Sequence, residues 1–203
     1  MKDAVPGRPG EWMQTSTGLR FFPLDPRERD ICIADIANGL AMTCRYAGQI
    51  NIDLFYSVAE HSVLIARYAH DTLRWPPKAC LAALLHDASE AYLGDLTRAA
   101  KAAAGLGYRH VEAGVSRAIF SRYNCFKAFL DFQHKIKELD QRIIPTEKKM
   151  LVPLKVLPWA HDKLKPLPVT IECWGPRRAK GEFLQTYDQF IELAGEITEP
   201  WEM

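Results

Sequence analysis

The chain has 203 residues, enough for one domain with a substantial core. Apolar residues make up 48% and charged residues 25%, as in ordinary soluble globular proteins, and no apolar run approaches the ~18 residues of a membrane span. The 26 basic and 25 acidic residues leave a net charge of +1. This balance argues against capture of a nucleic-acid polymer or an anionic membrane, but it allows a small anionic ligand.

The cysteines and the first residues indicate a soluble, intracellular protein. Five cysteines are spread along the chain without a Cys-x-x-Cys pair, which is typical of reduced thiols. The stretch Met1–Gly10 carries prolines and charges in place of an apolar signal core. We expect a single domain with an N-terminal arm (1–30), a helical core (31–150) and a loop with a C-terminal helix (151–203).

The first elements in the chain are a short β-pair and a helix. Residues 12–15 and 19–22 predict two strands joined by a Ser-Thr-Gly turn. Apolar residues then recur with helical spacing over 33–47, and Gly48 is a plausible residue to end that helix.

The next two helices are expected to form an antiparallel pair. Ser57 and Glu60 make a capping-box pattern at the start of a helix that runs to about Arg74. The Trp-Pro-Pro connection at 75–77 is short, so a third helix over 77–92 returns beside it.

The rest of the chain predicts three more helices. Further helix is indicated over 98–122 and strongly over 126–150, where Pro145 should kink or divide it. Four prolines predict a loop over 151–175, and Pro176 suits the first turn of a last helix. The predicted fold class is all-α with a minor N-terminal β-pair.

One helix ends in an unusual group of ionisable residues. The apolar run before His86 leads directly into Asp87 and Glu90, and on a continuous helix His86 and Glu90 share a face. Burying these groups is costly unless something compensates their charge, and a divalent cation would do so. Because acids are disfavoured near a helix C-terminus, the position of Glu90 also favours a functional role.

Two further residues complete a set of metal ligands. The antiparallel pair brings His61, in the first turn of its helix, near His86 and Asp87. Asp140 interrupts an apolar stripe on a distant helix. Two imidazoles and two carboxylates suit one divalent transition metal, whereas magnesium prefers oxygen ligands.

Each ligand candidate taken alone has a plainer interpretation. His61 is compatible with a hydrogen-bonded core histidine, and His86 with a structural pair to Asp87. Asp140 is compatible with an ion pair to Arg142 or Lys137. The metal site is favoured because these interpretations would have to hold together at three positions that the helix pair brings close.

The motifs resemble one family closely. Ser57-Val-Ala-Glu-His-Ser62, Leu85-His-Asp-Ala-Ser-Glu-Ala-Tyr-Leu-Gly-Asp95 and Leu139-Asp140 are similar to the HD-domain metal-dependent phosphohydrolases, whose pattern is His, His-Asp and a distant Asp. The resemblance is to the branch with bacterial 5′-deoxyribonucleotidases and phage deoxynucleoside triphosphate (dATP) phosphohydrolases. Thr43-Cys-Arg-Tyr46 also resembles this branch, and the resemblance covers residues 12–150.

The resemblance implies an HD-domain helical bundle that cleaves 5′ phosphate(s) from deoxyribonucleotides. It implies a homo-oligomer in the cytoplasm, or in the host cytoplasm if phage-encoded, acting on mono- or triphosphates with one divalent metal (Co, Mn, Zn, Ni or Fe). Glu90 matches the catalytic glutamate, Arg45 the arginine that contacts phosphate, and Asp95 an aspartate near the sugar or the attacked phosphate. The implied metal ligands are His61, His86, Asp87 and Asp140.

The sequence departs from the family pattern after Asp95. Relatives continue with a proline-rich turn and then a lysine, whereas residues 96–101 contain no proline before Lys101. Lys101 is one expected phosphate contact, and Arg98 can substitute for it. An aromatic side chain could also stack on a base, and the candidates are Tyr46, Trp12 and Phe22.

Two alternatives stay open at this point. One is a nucleotide-binding regulatory module that keeps the fold without turnover, although an intact Glu90 and ligand set favour an enzyme. The other is a dinuclear oxygenase of the same fold, which needs additional histidine ligands. His110 and His134 are available, but neither belongs to a second His-Asp pattern.

Overall fold

The computed structural model describes residues 7–152 and 157–196, so parts of the predicted arm, loop and C-terminal segment lie outside it. The all-α class with one N-terminal β-pair is confirmed. No helix in the described ranges combines the length and apolar character that crossing a bilayer requires. The elements are β1 (Met13–Gln14), β2 (Arg20–Phe21), α1 (Ile33–Met42), α2 (Val58–Asp71), α3 (Pro77–Leu84), α4 (Glu90–Leu93), α5 (Arg98–Arg122), α6 (Phe126–Leu151) and α7 (Pro176–Leu193).

The β-pair is shorter than predicted and is attached to α1. Met13 lies opposite Phe21 in an antiparallel register. The carboxylate of Asp35 on α1 accepts hydrogen bonds from the Ser16 hydroxyl at 2.7 Å and from the Thr17 backbone N–H at 2.8 Å. The turn between the strands is therefore fixed on the helical core.

Helix α1 ends earlier than the sequence suggested. It stops at Met42, and Cys44 then pairs with Ser57 in an isolated antiparallel bridge. The prediction that Gly48 ends this helix is wrong, because residues 45–48 form a separate short 3₁₀ turn. Arg45 consequently lies beyond the helix, in a turn whose next residue has a left-handed backbone conformation (φ 59°).

The start of α2 confirms half of the predicted capping box. The Ser57 hydroxyl accepts a hydrogen bond from the Glu60 backbone N–H at 3.1 Å. The Glu60 carboxylate does not reach back to Ser57. It is fully buried and accepts hydrogen bonds from the backbone N–H groups of residues 172, 173 and 174, at 2.8, 3.1 and 2.7 Å. Glu60 therefore joins α2 to the loop before α7.

The predicted single helix over 77–92 is divided in the structure. Helix α3 ends at Leu84, residues 85–89 form turns, and α4 begins at Glu90. Helices α1 and α4 are in close contact, because a Cβ atom on Gly39 would lie only 2.7 Å from the carbonyl oxygen of Ala91. The close approach leaves no room for a side chain at Gly39.

The remaining helices follow the sequence pattern with one exception. Helix α5 changes direction at Gly105, whose φ of 74° is outside the helical region. Helix α6 continues from Phe126 through Pro145 to Leu151, so of the two outcomes predicted for Pro145, a kink or a division, the division is wrong. Helix α7 begins at Pro176 as predicted and packs against α1, α2 and α3.

Candidate metal centre and its cavities

The structure brings the four predicted metal ligands together. His61 comes from the first turn of α2, His86 and Asp87 from the turn after α3, and Asp140 from α6. One ligand atom from each residue lies within 4.8 Å of the others. The His61 side chain is fully buried, whereas those of Asp87 and Asp140 are 23% and 34% exposed. The cluster therefore has a buried histidine side and an accessible carboxylate side.

Hydrogen bonds orient both imidazole rings towards the centre of the cluster. Nδ1 of His86 lies 2.8 Å from the Ala83 carbonyl oxygen, and Nδ1 of His61 lies 2.8 Å from Oε1 of Glu147. A carbonyl and an ionised carboxylate can only accept, so each Nδ1 donates and each Nε2 is the atom left for a metal.

The two Nε2 atoms are the observation that tests the metal assignment. Both are buried, and neither has a hydrogen bond within the described chain. Nε2 of His61 lies 3.3 Å from Oδ1 of Asp140, and Nε2 of His86 lies 3.2 Å from Oδ2 of Asp87. Buried polar atoms rarely stay without partners, and two nitrogens facing two carboxylates suit a divalent transition metal. The residues therefore fit one such ion.

The local charge also favours a cation. Burial lowers the pKa of His86, but Asp87 and then Asp140 outweigh burial and raise this pKa to about 9. The two carboxylates therefore favour positive charge beside His86, and a metal cation would supply it.

Glu147 is a part of the site that the sequence reasoning did not assign to it. It is fully buried on α6 and contacts three residues of the site: Nδ1 of His61 at 2.8 Å, Nε of Arg45 at 3.3 Å, and the Tyr46 hydroxyl, which donates to Oε2. Burial raises its pKa, but Arg45 and His61 outweigh burial and hold it at about 2, so the side chain is ionised. The sequence does contain a signal for it, because Glu147 is an acid seven residues after Asp140 and lies on the same face of one helix.

Arg45, which the resemblance matches to an arginine that contacts phosphate, lies beside the carboxylates of the cluster. Its guanidinium is 3.4 Å from Asp87 and 4.0 Å from Asp140, and its side chain is only 11% exposed. Burial alone would lower its pKa, but Glu147, Asp87 and Asp140 together raise it well above the usual value. Arg45 therefore keeps its positive charge at the edge of the centre.

Glu90 is buried next to the centre but is not among the clustered ligand atoms. Burial raises its pKa first, with further contributions from Asp87 and Asp95, to about 9. The premise that Glu90 sits at a helix C-terminus is wrong, because it is the first residue of α4. Lys101 lies 3.1 Å from Glu90 and 2.7 Å from Glu112, so two acidic side chains hold its ammonium group.

Two cavities meet at the cluster. The first, of about 780 Å³, is lined by six of the residues predicted to contact substrate or to act on it. Its wall also includes Ile144 and, from a loop after α6, Trp159 and His161. The predicted residues in this wall are Arg45, Tyr46, Glu90, Asp95, Arg98 and Lys101.

The second cavity shares Asp87, Lys101 and Asp140 with the first and has a similar volume of about 780 Å³. Its other charged residues are mostly cationic, and three aromatic residues also line it. The cationic residues are Arg109, Arg117 and Lys137, and the aromatic ones are Phe120, Phe126 and Phe129.

Some residues considered from the sequence lie away from the centre. Trp12 and Phe22 line neither cavity, and Phe22 is buried beneath the Arg8 guanidinium at 3.9 Å. His110 and His134 are exposed and belong to no group of metal-ligand type within the described chain. The additional histidine ligands of a dinuclear centre are therefore not found among the residues described.

Comparisons with known proteins name no activity. No family model matches the chain. A 113-residue segment, 55% of the chain, is 42% identical to an uncharacterized protein of Rhodobacter capsulatus and spans 58% of that protein. A 186-residue match, 90% of the chain, is 28% identical to the uncharacterized protein YfdR of Escherichia coli K12 and spans 97% of it.

Proposed function

We propose that the protein is a metal-dependent phosphohydrolase of the HD-domain type that removes 5′ phosphate(s) from deoxyribonucleotides. The observation that carries the proposal is the pair of buried Nε2 atoms, on His61 and His86, facing Asp87 and Asp140 without hydrogen bonds. A cation held there would lie at the wall of a cavity that is large enough for a small molecule. The motif resemblance supplies the substrate class.

The proposed roles of the residues follow from their positions. A bound divalent metal supplies Lewis acidity and lowers the pKa of bound water. Arg45, charged and next to Asp87, holds phosphate oxygens. Glu90, buried beside the centre but outside the ligand cluster, is placed to transfer a proton to the leaving oxygen.

The rest of the cavity positions the substrate. Asp95, in the wall of the first cavity, hydrogen-bonds the sugar. Arg98 and Lys101 add positive charge near the phosphate, although Lys101 is already paired with Glu90 and Glu112. Tyr46 contributes an aromatic surface and is anchored by its hydrogen bond to Glu147.

The second cavity bears on the number of phosphates that are removed, which an experiment can decide. Arg109, Arg117 and Lys137 give the second cavity a positive surface beside the metal ligands, which is suited to further phosphates of a triphosphate. Release of tripolyphosphate from a deoxynucleoside triphosphate would support a role of the second cavity in binding the additional phosphates. Release of orthophosphate from a monophosphate would not require this cavity.

The test combines metal content with turnover. We expect the purified protein to contain about one divalent transition metal per chain by mass spectrometry. Chelation should abolish hydrolysis of a panel of deoxynucleoside mono- and triphosphates, and metal add-back should restore it. Metal-loaded protein that hydrolyses none of them contradicts the proposal, and nucleotide binding without turnover would indicate the regulatory module instead.

Two further expectations belong to the same proposal. The resemblance implies a homo-oligomer that acts in the cytoplasm on a small-molecule substrate. Sedimentation equilibrium of the metal-loaded protein would check the oligomer, and a single-chain mass would contradict it.

A further inference from the structure

The wall of the first cavity includes a loop that the sequence analysis left without a role. Residues 157–163 follow α6 and contain the short 3₁₀ turn Ala160–Lys163. Trp159, Ala160 and His161 from this loop line the cavity. The Trp159 ring lies beside the Tyr46 ring, with centroids 5.8 Å apart and planes tilted by 42°.

Polar contacts hold Trp159 to α6. The carboxylate of Asp162 accepts a hydrogen bond from the Trp159 backbone N–H at 2.8 Å and two from the Lys148 ammonium at 2.6 and 2.8 Å. The same ammonium lies 5.1 Å from the centre of the indole ring. Because α6 also carries Asp140, one helix positions both the indole and a metal ligand.

A second contact holds the loop to α5. Nη1 of Arg98, in the first turn of α5, lies 3.2 Å from Nε2 of His161. A guanidinium can only donate, so the neutral imidazole accepts this hydrogen bond. The loop is thus attached to α5 and α6, two of the helices that border the cavity.

We propose that Trp159, together with Tyr46, forms the nucleobase-binding subsite of this cavity. The cavity wall combines charged residues of the metal cluster and its edge, Asp87, Asp140 and Arg45, with the rings of Tyr46 and Trp159, which lie beside each other. A nucleotide likewise combines a charged phosphate with a flat base. Stacking is available to every base, so this subsite selects for the presence of a base. The inference rests on the proposed nucleotide substrate.

The experiment separates the base from the rest of the substrate. Metal-loaded wild-type protein and the variants Trp159→Ala, Trp159→Phe and Leu157→Ala are assayed with the best deoxynucleotide and with 2-deoxyribose carrying the same 5′ phosphates. Leu157 is the control, since it is an exposed apolar residue of the same loop and lies outside the cavity wall. Metal content and thermal midpoint are measured for every variant, so that damage to the centre or the fold is detected.

The expected result is a base-dependent loss of binding. Trp159→Ala should raise KM for the deoxynucleotide roughly 5- to 150-fold, the range for one aromatic–base stack, with kcat unchanged. KM for the base-free sugar phosphate should not change, and Trp159→Phe should restore most of the binding. Leu157→Ala should match the wild type with both substrates.

Four results would overturn the inference. Equal effects of Trp159→Ala on both substrates, or no effect on either, would show that the indole does not bind a base even though the protein is a nucleotide hydrolase. If KM for the deoxynucleotide is as high in Trp159→Phe as in Trp159→Ala, stacking is not the cause of the loss. If metal-loaded wild-type protein turns over no nucleotide, the proposed function fails and the base subsite fails with it.

Discussion

Oε1 of Glu147 lies 2.8 Å from Nδ1 of His61, and both side chains are fully buried. This carboxylate fixes the His61 ring so that Nε2 faces Asp140. A carboxylate behind a metal-binding histidine also makes the imidazole a stronger ligand. The other contacts of Glu147, to Arg45 and Tyr46, connect the metal centre with the first cavity.

Replacing Glu147 with Gln should weaken metal binding. The amide can still accept a hydrogen bond from His61, but it has no charge to support the imidazole or to hold Arg45. We expect the affinity for Mn²⁺ or Co²⁺ to fall about 10- to 100-fold, as for other partners of metal-bound histidines. Competition with a chromophoric chelator measures this affinity. The control is Glu138→Gln on the same helix, where the side chain is 64% exposed. Unchanged metal affinity in folded Glu147→Gln would rule out this supporting role.

Replacing Glu90 with Gln should separate turnover from metal binding. The substitution keeps the shape of a buried side chain but removes its transferable proton, so we expect kcat to fall by a factor of about 10² to 10⁴. Metal content should match the wild type, because Glu90 is outside the ligand cluster. Steady-state kinetics with elemental analysis checks both quantities. Loss of the metal together with activity would make Glu90 a ligand instead.

Glu60 supports stability through backbone groups far away in the sequence. Its carboxylate accepts three backbone N–H hydrogen bonds from residues 172–174. In Glu60→Ala these donors lose their partner, so we expect the free energy of unfolding to fall by about 3 kcal/mol. Urea denaturation measures the change, with the exposed Glu192→Ala expected to shift it by less than about 0.5 kcal/mol. Equal stability of the two variants would contradict this role of Glu60.

The sequence was informative where the pattern is local. The helical stripe on α6 correctly placed Asp140 on the same face as the buried Ile143 and Glu147, and the short Trp-Pro-Pro link correctly paired α2 with α3. Both follow from periodicity and connection length, which need no knowledge of distant contacts. The link brought His61 near His86 and Asp87, and the stripe made Asp140 the candidate for a fourth ligand.

The features that the sequence did not predict depend on contacts between distant segments. Helix α3 ends at Leu84 although alanine and leucine favour helix, and His86 and Asp87 instead lie in a turn at the centre. The Glu60 carboxylate does not complete a capping box but accepts hydrogen bonds from residues 172–174, which lie more than 100 positions away in the sequence. Trp159 is held at the cavity by hydrogen bonds that connect its loop through Asp162 to Lys148. The loop has no apolar periodicity from which this position could be predicted.

Metal binding should raise the thermal stability of the protein. An ion that binds only the folded chain stabilises it by about 2.7 kcal/mol when its concentration is 100 times Kd. In a domain of this size, that amount corresponds to a rise in Tm of roughly 5 to 10 °C. Thermal denaturation of the chelator-treated protein, with and without added Mn²⁺, measures the rise.

Asp140→Asn is the matched variant for this measurement. Asp140 is 34% exposed, so the amide should leave the fold intact while removing one charged ligand from the cluster. We expect its Tm to respond weakly to Mn²⁺, whereas the exposed control Asp131→Asn, on the same helix, should respond as the wild type does. An equal Mn²⁺ response in Asp140→Asn and the wild type would place the metal elsewhere, and no response in the wild type would contradict a metal centre formed by these four residues.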